Sequence, residues 1–307
     1  MSKKELVAVT SRSFSRSPIL RQRLQEKFSN VKFNDDGIKL TTEPLIQFLM
    51  GAERAIIGLE VIDDTLLDNL PDLKVICKVG TGIDKIDLNA LKRRKISFTA
   101  TPGVNKRSVS ELVLGLIFTL QRHLLTVHNA LKQGVWEQTS GSLLSNKIVG
   151  IIGFGSIGQD LAKLLSVFDC RCLVFDIQSH KDLMPHVHQV ELDTLLNQSD
   201  IILLHIPLLP ENKYFLDTRE FMKMKKGAIL VNTARGGLIN ETALYDALVS
   251  GNLSAAALDV FEHEPNIPKN LLKLDNFFTT SHIGGSTEEA ITAMGMLAIE
   301  NLEKLMV

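Results

Sequence analysis

Gly153-Phe154-Gly155-Ser156-Ile157-Gly158 is the stretch that decides the fold of this 307-residue chain. The apolar run 148–152 precedes it, an amphipathic segment follows it, and Asp176 closes the next apolar run 18 residues after Gly158. In such a pattern the first glycine makes a tight turn after a strand, the second lets the backbone approach a pyrophosphate, and the third lets the next helix pack on the sheet. Unpaired N–H groups at the start of that helix favour the anion. The six residues therefore predict a dinucleotide-binding loop.

Asp176 predicts which dinucleotide binds. A carboxylate at the end of the second strand accepts hydrogen bonds from ribose hydroxyls, and it repels a 2′-phosphate. The next three residues, Ile177, Gln178 and Ser179, carry no cation that would offset this repulsion. We therefore expect the cofactor to be NAD rather than NADP.

The composition is that of an ordinary soluble globular protein, with 45% hydrophobic and 22% charged residues. A net charge of −1 gives no general reason to expect nucleic acid or an anionic membrane as a partner. No apolar stretch reaches the roughly 18 residues of a membrane span, and the apolar run near the start is too short for a secretory signal. Three cysteines form no disulfide framework, which suits a reducing cytoplasm.

No metal site is predicted. Cys170 and Cys172 flank one residue of a predicted strand and are interpreted as packing residues. His186 and His188 lie in a polar connection that lacks further ligand candidates, so a surface loop is expected there.

Two series of short apolar runs alternate with helical patterns. The predicted strands are 6–10, 55–58, 75–79 and 96–99 in the first series, and 148–152, 172–175, 201–206, 228–231, 255–260 and 277–280 in the second. Nearly continuous apolar strands between helices are typical of parallel sheets covered on both faces. We predict an α/β fold with two Rossmann-like, doubly wound parallel-sheet domains and a cleft between them.

The order of the elements predicts the domain boundaries. The NAD-binding domain is expected to span 102–285. The substrate-binding domain is expected to be discontinuous, 1–101 plus 286–307, because an amphipathic helix at 287–305 follows the last strand and would return to the first domain. A long helix is predicted over 108–128, and its apolar segment fits either a core or a subunit interface.

Three reactive residue types follow successive strands of the second series. Ligands of an open parallel sheet bind at the carboxyl ends of its strands, and Arg235, Glu264 and His282 follow the last three strands. Arginine can hold a carboxylate bidentately and polarise the adjacent carbonyl. Histidine can exchange a proton with the substrate oxygen, and a glutamate beside it would orient the ring and favour its cationic form. These residues predict reversible hydride transfer between NAD and a 2-hydroxy acid.

Each of these residues also has a structural interpretation. Taken singly, Arg235 fits a surface ion pair, His282 a loop histidine and Glu264 an ordinary turn before a proline. Their joint placement at successive strand ends favours the catalytic interpretation. Asp259, at the end of its own strand, could accept a hydrogen bond from the nicotinamide carboxamide.

The chain resembles the D-2-hydroxyacid dehydrogenases over nearly its whole length, through segments 105–114, 153–158, 232–239, 258–265 and 282–285. The resemblance implies catalytic Arg235, Glu264 and His282, with Asp259 at the nicotinamide and Arg235 and His282 also on the substrate. It implies cofactor contacts from the glycine loop and from further residues, namely Asp176, His205, Pro207, Thr233, Ala234, His282 and Gly284. It implies substrate-carboxylate binding by backbone groups at Val79, Gly80 and Thr81. Family members are typically homodimers joined through the cofactor domain.

Within that family, segment 282–290 is most similar to the phosphoglycerate dehydrogenases. Two departures weaken this assignment. Glu60 stands where those enzymes commonly place arginine, and the sequence ends at Val307 without room for the regulatory domain that many of them carry. Arg12, Arg16, Lys78 or Arg107 could hold a phosphate instead. The substrate hypotheses are therefore 3-phosphoglycerate and, as the alternative, glyoxylate or hydroxypyruvate.

Two other functions compete with these hypotheses. A formate-type dehydrogenase usually carries glutamine in place of the glutamate, so Glu264 argues against it. A non-enzymatic NAD(H)-sensing interaction protein retains the three residues, and the motifs alone do not exclude it.

Overall fold

The computed structural model describes residues 5–305, which fall into two compact units. One unit contains the chain up to Asn105 and from Gly285 onward, and the other contains Lys106–Gly284. The domain boundaries expected from the sequence lie after residues 101 and 285, whereas the two units divide after Asn105 and after Gly284. Each unit is built on a parallel sheet with helices, which confirms the α/β class. Within residues 5–305, no helix is both long and apolar enough to cross a bilayer.

The first unit carries a five-stranded sheet in the order β2-β1-β3-β4-β5, with all strands parallel. Its elements from the first part of the chain are β1 (Val7–Val9), α1 (Arg12–Arg16), α2 (Pro18–Lys27), β2 (Val31–Phe33), α3 (Thr42–Leu49), β3 (Arg54–Ile57), α4 (Asp64–Leu67), β4 (Val75–Lys78), α5 (Leu88–Arg93) and β5 (Ser97–Thr99). Two apolar clusters cover the two faces of this sheet.

The C-terminal helix α12 (Glu288–Lys304) belongs to the first unit. It packs on α2, where a Cβ at Gly295 would collide with the Leu20 side chain. Arg54 is buried and binds the C-terminal end of α12. Its Nη1 donates to the carbonyl of Leu302 at 2.6 Å and to that of Leu305 at 3.1 Å. The first unit is therefore built from two distant parts of the chain.

The second unit carries a seven-stranded parallel sheet in the order β12-β11-β10-β9-β6-β7-β8. Its elements are α6 (Lys106–Gln121), α7 (Leu124–Lys132), β6 (Ile148–Ile152), α8 (Ser156–Leu165), β7 (Arg171–Phe175), β8 (Val187–Gln189), α9 (Leu192–Gln198), β9 (Ile201–Leu204), α10 (Thr218–Lys223), β10 (Ala228–Asn232), α11 (Glu241–Val249), β11 (Leu253–Leu258) and β12 (Phe277–Thr279). Strands β6, β9 and β10 are almost wholly buried, as expected beneath helices on both faces.

The prediction of a single helix over 108–128 is wrong. His123 adopts a left-handed conformation at φ 51° and separates α6 from α7. Helix α6 buries Val113, Leu116 and Ile117 in the core, whereas α7 buries no residue. The apolar pattern continues across the break, so periodicity alone did not reveal it.

Two short edge strands were missed. Strands β2 and β8 have three residues each and lie at the edges of their sheets, where only one neighbour pairs with them. Neither contains an apolar run of the kind that marks a central strand. The expected surface loop at His186 and His188 is consequently wrong in part, because His188 lies within β8.

Candidate active site

The glycine loop follows β6 directly and contacts the end of β9. Gly153 adopts φ 94°, and a Cβ built on it would lie 2.6 Å from the carbonyl oxygen of His205. A Cβ on Gly158 would collide with the carbonyl oxygen of Gly153. In contrast, a Cβ on Gly155 would meet no atom within 4 Å. The first and third glycines are therefore required by the fold, and the second keeps a space open above the loop.

The space above Gly155 lies at the N-terminus of α8. Gly155 is the N-cap residue and supplies no side-chain oxygen to the first N–H groups of this ten-residue helix. Such an uncapped N-terminus, with its dipole, is suited to a pyrophosphate. Further along the helix, the buried carboxylate of Asp160 pairs bidentately with Arg107, with Nη2 2.8 Å from Oδ1 and Nε 3.0 Å from Oδ2.

Asp176 follows β7 and is bonded to the glycine loop. Its Oδ2 accepts a hydrogen bond from Phe154 N at 2.6 Å, and its Oδ1 accepts one from Gln178 N at 2.8 Å. Burial acts to raise the pKa of this carboxyl, but these two bonds and the nearby His180 together lower it. Asp176 is therefore anionic at neutral pH, and the hydrogen bond from Phe154 N joins it to the glycine loop.

Buried polar atoms without protein partners lie at the ends of β9 and β10. Both ring nitrogens of His205 and the hydroxyl of Thr233 have no hydrogen-bond partner among residues 5–305. Burial lowers the pKa of His205 to about 3, so its ring is neutral under physiological conditions. Unpaired buried polar groups are costly, so these atoms fit a polar ligand. Two further predicted cofactor contacts lie close by in the sequence: Pro207, two residues after His205, is exposed, and Ala234, next to Thr233, is half-buried.

Arg235 lies in the turn that follows β10. The side chain of Asn232 shapes this turn, because its Oδ1 accepts from Ala234 N at 2.9 Å and its Nδ2 donates to the carbonyl of Arg235 at 2.9 Å. Arg235 itself donates from Nη1 to the carbonyl of Ala234 at 2.6 Å. A Cβ on Gly236 would collide with the backbone of Phe261. The Arg235 turn is therefore packed directly on the segment that leads to Glu264.

Glu264 and His282 form a hydrogen-bonded pair beyond β11 and β12. The His282 Nδ1 lies 2.9 Å from Oε2 and 3.1 Å from Oε1 of Glu264, and each side chain is about one-third exposed. Glu264 Oε1 also accepts from Phe261 N at 3.2 Å. With Nδ1 committed to the carboxylate, Nε2 is the ring nitrogen left for proton transfer.

Asp259 holds the backbone on which His282 lies. Its buried carboxylate accepts from Thr280 Oγ1 at 2.5 Å, Ile283 N at 2.8 Å and Gly284 N at 2.8 Å. These bonds brace His282, which adopts φ 57° in the left-handed region. A carboxylate has about four acceptor positions, so three are filled by the protein and one remains for the predicted nicotinamide contact.

Sequence reasoning missed a residue that supports the Glu264 segment. Glu241, the first residue of α11, accepts from Glu262 N through Oε1 at 2.9 Å, and burial raises its pKa. Glu262 in turn pairs with Lys213 and accepts from the Tyr214 hydroxyl, both at 2.9 Å. A glutamate at the start of a helix indicates only a favourable dipole contact, so its partner 21 residues away was not foreseeable.

The predicted substrate-binding segment Val79–Thr81 lies in the first unit, after β4. Val79 N donates to the carbonyl of Ile57 at 2.9 Å, and Gly80 N to Thr101 Oγ1 at 3.1 Å. Two of the three backbone N–H groups are thus engaged within the unit. Nearby, the carboxylate of Glu60 accepts from Gly58 N at 2.5 Å.

Comparison with known proteins places this geometry in a family. The family model for the NAD-binding domain of D-isomer-specific 2-hydroxyacid dehydrogenases matches residues 114–284. The chain belongs to the D-isomer-specific 2-hydroxyacid dehydrogenase family. Its second unit accordingly binds NAD, and the protein is an NAD-dependent oxidoreductase that acts on CH–OH donors.

Individual relatives cover most of the chain. A hydroxypyruvate reductase of Thermotoga maritima is 42% identical over 76% of this chain and 78% of its own. A D-3-phosphoglycerate dehydrogenase of Archaeoglobus fulgidus is 38% identical over 78% of this chain, but only 47% of its own length is covered. The structure of an Aquifex aeolicus D-lactate dehydrogenase complexed with NAD and lactic acid is 25% identical, with a TM-score of 0.84 over 97% of this chain and 94% of that one.

Proposed function

We propose that Arg235, Glu264 and His282 catalyse the reversible conversion of a small 2-oxo acid to the corresponding 2-hydroxy acid. Bound NAD(H) supplies or accepts the hydride. The observation that carries the proposal is the His282–Glu264 hydrogen bond of 2.9 Å, beside the Arg235 turn that packs on the Glu264 segment. Residues of these three types at adjacent strand ends provide a carboxylate clamp and a proton donor.

Each residue has a distinct task in this proposal. Arg235 binds the substrate carboxylate through its planar guanidinium. His282 gives the proton on Nε2 to the carbonyl oxygen during reduction and takes it back from the hydroxyl during oxidation. Glu264 holds the ring through Nδ1 and stabilises its charged form, so it acts through His282.

Alanine at His282 tests the proton transfer. His282→Ala should lower kcat by about 10²–10⁴-fold, the usual range for loss of a general acid–base, with little change in NADH affinity measured by fluorescence. His188→Ala is the matched control, because His188 is an exposed histidine of β8, and it should retain full activity. Full activity of His282→Ala would overturn the assigned role.

Lysine at Arg235 tests the carboxylate clamp. Arg235→Lys keeps the charge but loses the planar fork, so kcat/KM should fall by about 10–100-fold. NADH binding should persist. A variant with unaltered kcat/KM would show that the guanidinium does not hold the substrate.

For the particular substrate, we favour an unphosphorylated 2-oxo acid such as glyoxylate or hydroxypyruvate. Glu60 supports this choice, because its carboxylate accepts from Gly58 N at the end of β3 and would repel a phosphate nearby. The second candidate is 3-phosphoglycerate, favoured by the resemblance of segment 282–290 to phosphoglycerate dehydrogenases.

NADH oxidation with a panel of 2-oxo acids discriminates between these substrates. Hydroxypyruvate or glyoxylate should give a higher kcat/KM than phosphohydroxypyruvate. Glu60→Gln removes the charge that repels the phosphate, so it should raise the kcat/KM for phosphohydroxypyruvate relative to the other two acids. The reverse order would favour 3-phosphoglycerate. If NADH binds but none of the acids is reduced, the proposed substrates are wrong, and an NAD(H)-sensing role would gain support.

We propose a homodimer that associates through the second unit. Helix α7 has no buried residue, and this region exposes a set of large apolar side chains: Leu124, Leu125, Leu131, Val135, Trp136 and Leu143. An apolar set of this size is typical of an interface with a second copy. Sedimentation of Leu124→Ser/Trp136→Ser should report a monomer, whereas Val167→Ser, an equally exposed apolar residue elsewhere, should remain dimeric.

We also propose a cytoplasmic location. Cys77, Cys170 and Cys172 are buried free thiols in the described chain, as is usual for proteins of a reducing compartment. Fractionation of the source cells tests this proposal, and recovery of the protein from an oxidising compartment would contradict it.

A further inference from the structure

His180 lies beside Asp176, the carboxylate that the sequence predicts to accept hydrogen bonds from a ribose of NAD. Its Nε2 is 3.6 Å from Asp176 Oδ2, and its ring meets the Phe154 ring edge to face, with centroids 5.2 Å apart. The side chain is 18% exposed. Sequence reasoning considered only the three residues after Asp176 and therefore did not include this potential cation.

The ring nitrogen that faces Asp176 is not satisfied by the protein. His180 Nε2 is buried and lacks a hydrogen-bond partner among residues 5–305, since 3.6 Å exceeds hydrogen-bonding distance. A buried, unpaired nitrogen is unfavourable unless a ligand or water completes it. The nitrogen thus lies at the carboxylate that selects the cofactor, with its hydrogen-bonding capacity unused.

The position of His180 is fixed by β8. Gln189 Oε1 accepts from His180 N at 3.0 Å, and Gln189 Nε2 donates to the carbonyl of Gln178 at 2.7 Å. The same amide reaches the carbonyl of Asp176 at 3.4 Å. One side chain of the sheet therefore holds the segment from Asp176 to His180 in a single arrangement.

The charges around His180 are few. Within residues 5–305, Asp176 is the charged group recorded in contact with the His180 ring. Phe154 of the glycine loop and Gln189 of β8, which also contact His180, are uncharged. Lys181 and Asp182, the next residues of the chain, are exposed and of opposite sign. The charge on His180 therefore acts chiefly on Asp176 and on a ligand bound beside it.

We propose that His180 is a second determinant of cofactor specificity, whose protonation relieves the repulsion between Asp176 and the 2′-phosphate of NADP(H). The inference rests on the proposed role of Asp176. With a neutral His180, the carboxylate excludes the phosphate. With a cationic His180, the pair carries no net charge, so its repulsion of the phosphate falls. Histidine is the side chain that ordinarily changes charge between pH 5 and 8.

Binary binding of NADPH and NADH measures this specificity without depending on turnover. The ratio of the two dissociation constants, followed by fluorescence from pH 8 to pH 5.5, should shift toward NADPH by about tenfold or more in the natural chain. The 2′-phosphate itself gains a proton near pH 6, so part of the shift is independent of the protein.

Variants at position 180 isolate the histidine. His180→Gln cannot become cationic, so its pH-dependent shift should be smaller than that of the natural chain. His180→Arg is always cationic and should bind NADPH better at pH 8, with little further gain at low pH. His188→Gln, an exposed histidine of β8, should follow the natural chain. Superimposable pH profiles for the natural chain and His180→Gln would overturn the proposal, as would an unchanged NADPH affinity in His180→Arg.

Asp176→Asn separates the two levels of the inference. If this variant alters the NADPH/NADH ratio while the substitutions at 180 do not, Asp176 selects the cofactor and His180 has no part. If Asp176→Asn leaves the ratio unchanged, the assignment of Asp176 to the ribose fails, and the proposal for His180 fails with it.

Discussion

The turns after β1 and β6 occupy equivalent places in two parallel sheets. Each follows the first strand of its unit, at the point where the strand order reverses: β1 lies between β2 and β3, and β6 lies between β7 and β9. This switch point is where ligands of doubly wound sheets bind. After β1, Ser11 caps helix α1 by accepting from Phe14 N at 3.5 Å. After β6, Gly155 leaves the start of α8 uncapped.

The difference shows that the architecture alone does not make a cofactor site. In the first unit the chain satisfies its own helix N-terminus with the Ser11 side chain, and a Cβ built on Gly58, just after β3, would lie 3.4 Å from Ser11 Cα. In the second unit Gly155 keeps the equivalent space open, so the N–H groups of α8 remain for a ligand. Removing the Ser11 cap after β1 should therefore lower stability without changing NADH affinity. Filling the space at Gly155 after β6 should weaken NADH binding with little loss of stability.

The largest effect is expected at Gly153. Gly153→Ala places a side chain at φ 94°, 2.6 Å from a backbone carbonyl, and should lower the free energy of unfolding by about 3–5 kcal/mol. Gly155→Ala is the matched control, because its Cβ meets no protein atom. Denaturant unfolding should leave Gly155→Ala close to the natural chain while NADH titration shows a clear loss of affinity. Equal stability losses in the two variants would contradict this division between fold and site.

A second effect concerns how the first unit is closed. Arg54→Ala removes a buried cation that bonds two carbonyls at the end of α12 and pairs with Glu5 at 2.6 Å. The expected loss is about 3 kcal/mol by denaturant unfolding, with an unaltered NADH dissociation constant. Lys74→Ala breaks an exposed pair with Glu53 and should cost less than about 1 kcal/mol. A raised NADH dissociation constant in Arg54→Ala would contradict the prediction that Arg54 contributes only to the stability of the first unit.

The third effect depends on pH and is expected from the second unit alone. His205 directly follows β9, and burial lowers its pKa to about 3, whereas Gly58 follows β3, the counterpart strand beside β1. Below about pH 6.5 the unfolded chain protonates this histidine and the native chain does not, so stability falls as the pH is lowered through that value toward 3. The loss attributable to His205 is about 2 kcal/mol at pH 5. Unfolding of His205→Gln should show a correspondingly shallower loss between pH 7 and pH 5, and an identical pH profile would refute the assignment.

The contrast between the units also marks what the sequence could predict. The glycine loop, the β strands of the sheet interiors and the placement of Arg235, Glu264 and His282 after adjacent strands all follow from local patterns. The edge strands β2 and β8 did not, because three residues with one pairing neighbour carry little apolar signal. The break at His123 escaped because the apolar pattern continues across it.

The supporting contacts of the site were beyond sequence reasoning for a different reason. Glu241 and Glu262, or Gln189 and His180, meet only after the sheet brings separate loops together. Nothing in the identity or spacing of these residues indicates the partner. Candidate ligand-binding residues can thus be predicted from motifs, while the residues that hold them in place require the coordinates.

The smallest effect is expected at Ser11, and it completes the comparison. Ser11→Ala removes the cap of α1 and should lower the free energy of unfolding by about 1 kcal/mol, without altering NADH affinity. The freed N–H groups of α1 would not become a dinucleotide site, because no glycine loop precedes this five-residue helix; Val9, Thr10 and Ser11 come directly before it. Denaturant unfolding and NADH titration of the same variant check both statements. A change in NADH affinity would mean that the turn after β1 contributes to cofactor binding, and the contrast between the two switch points would then be incorrect.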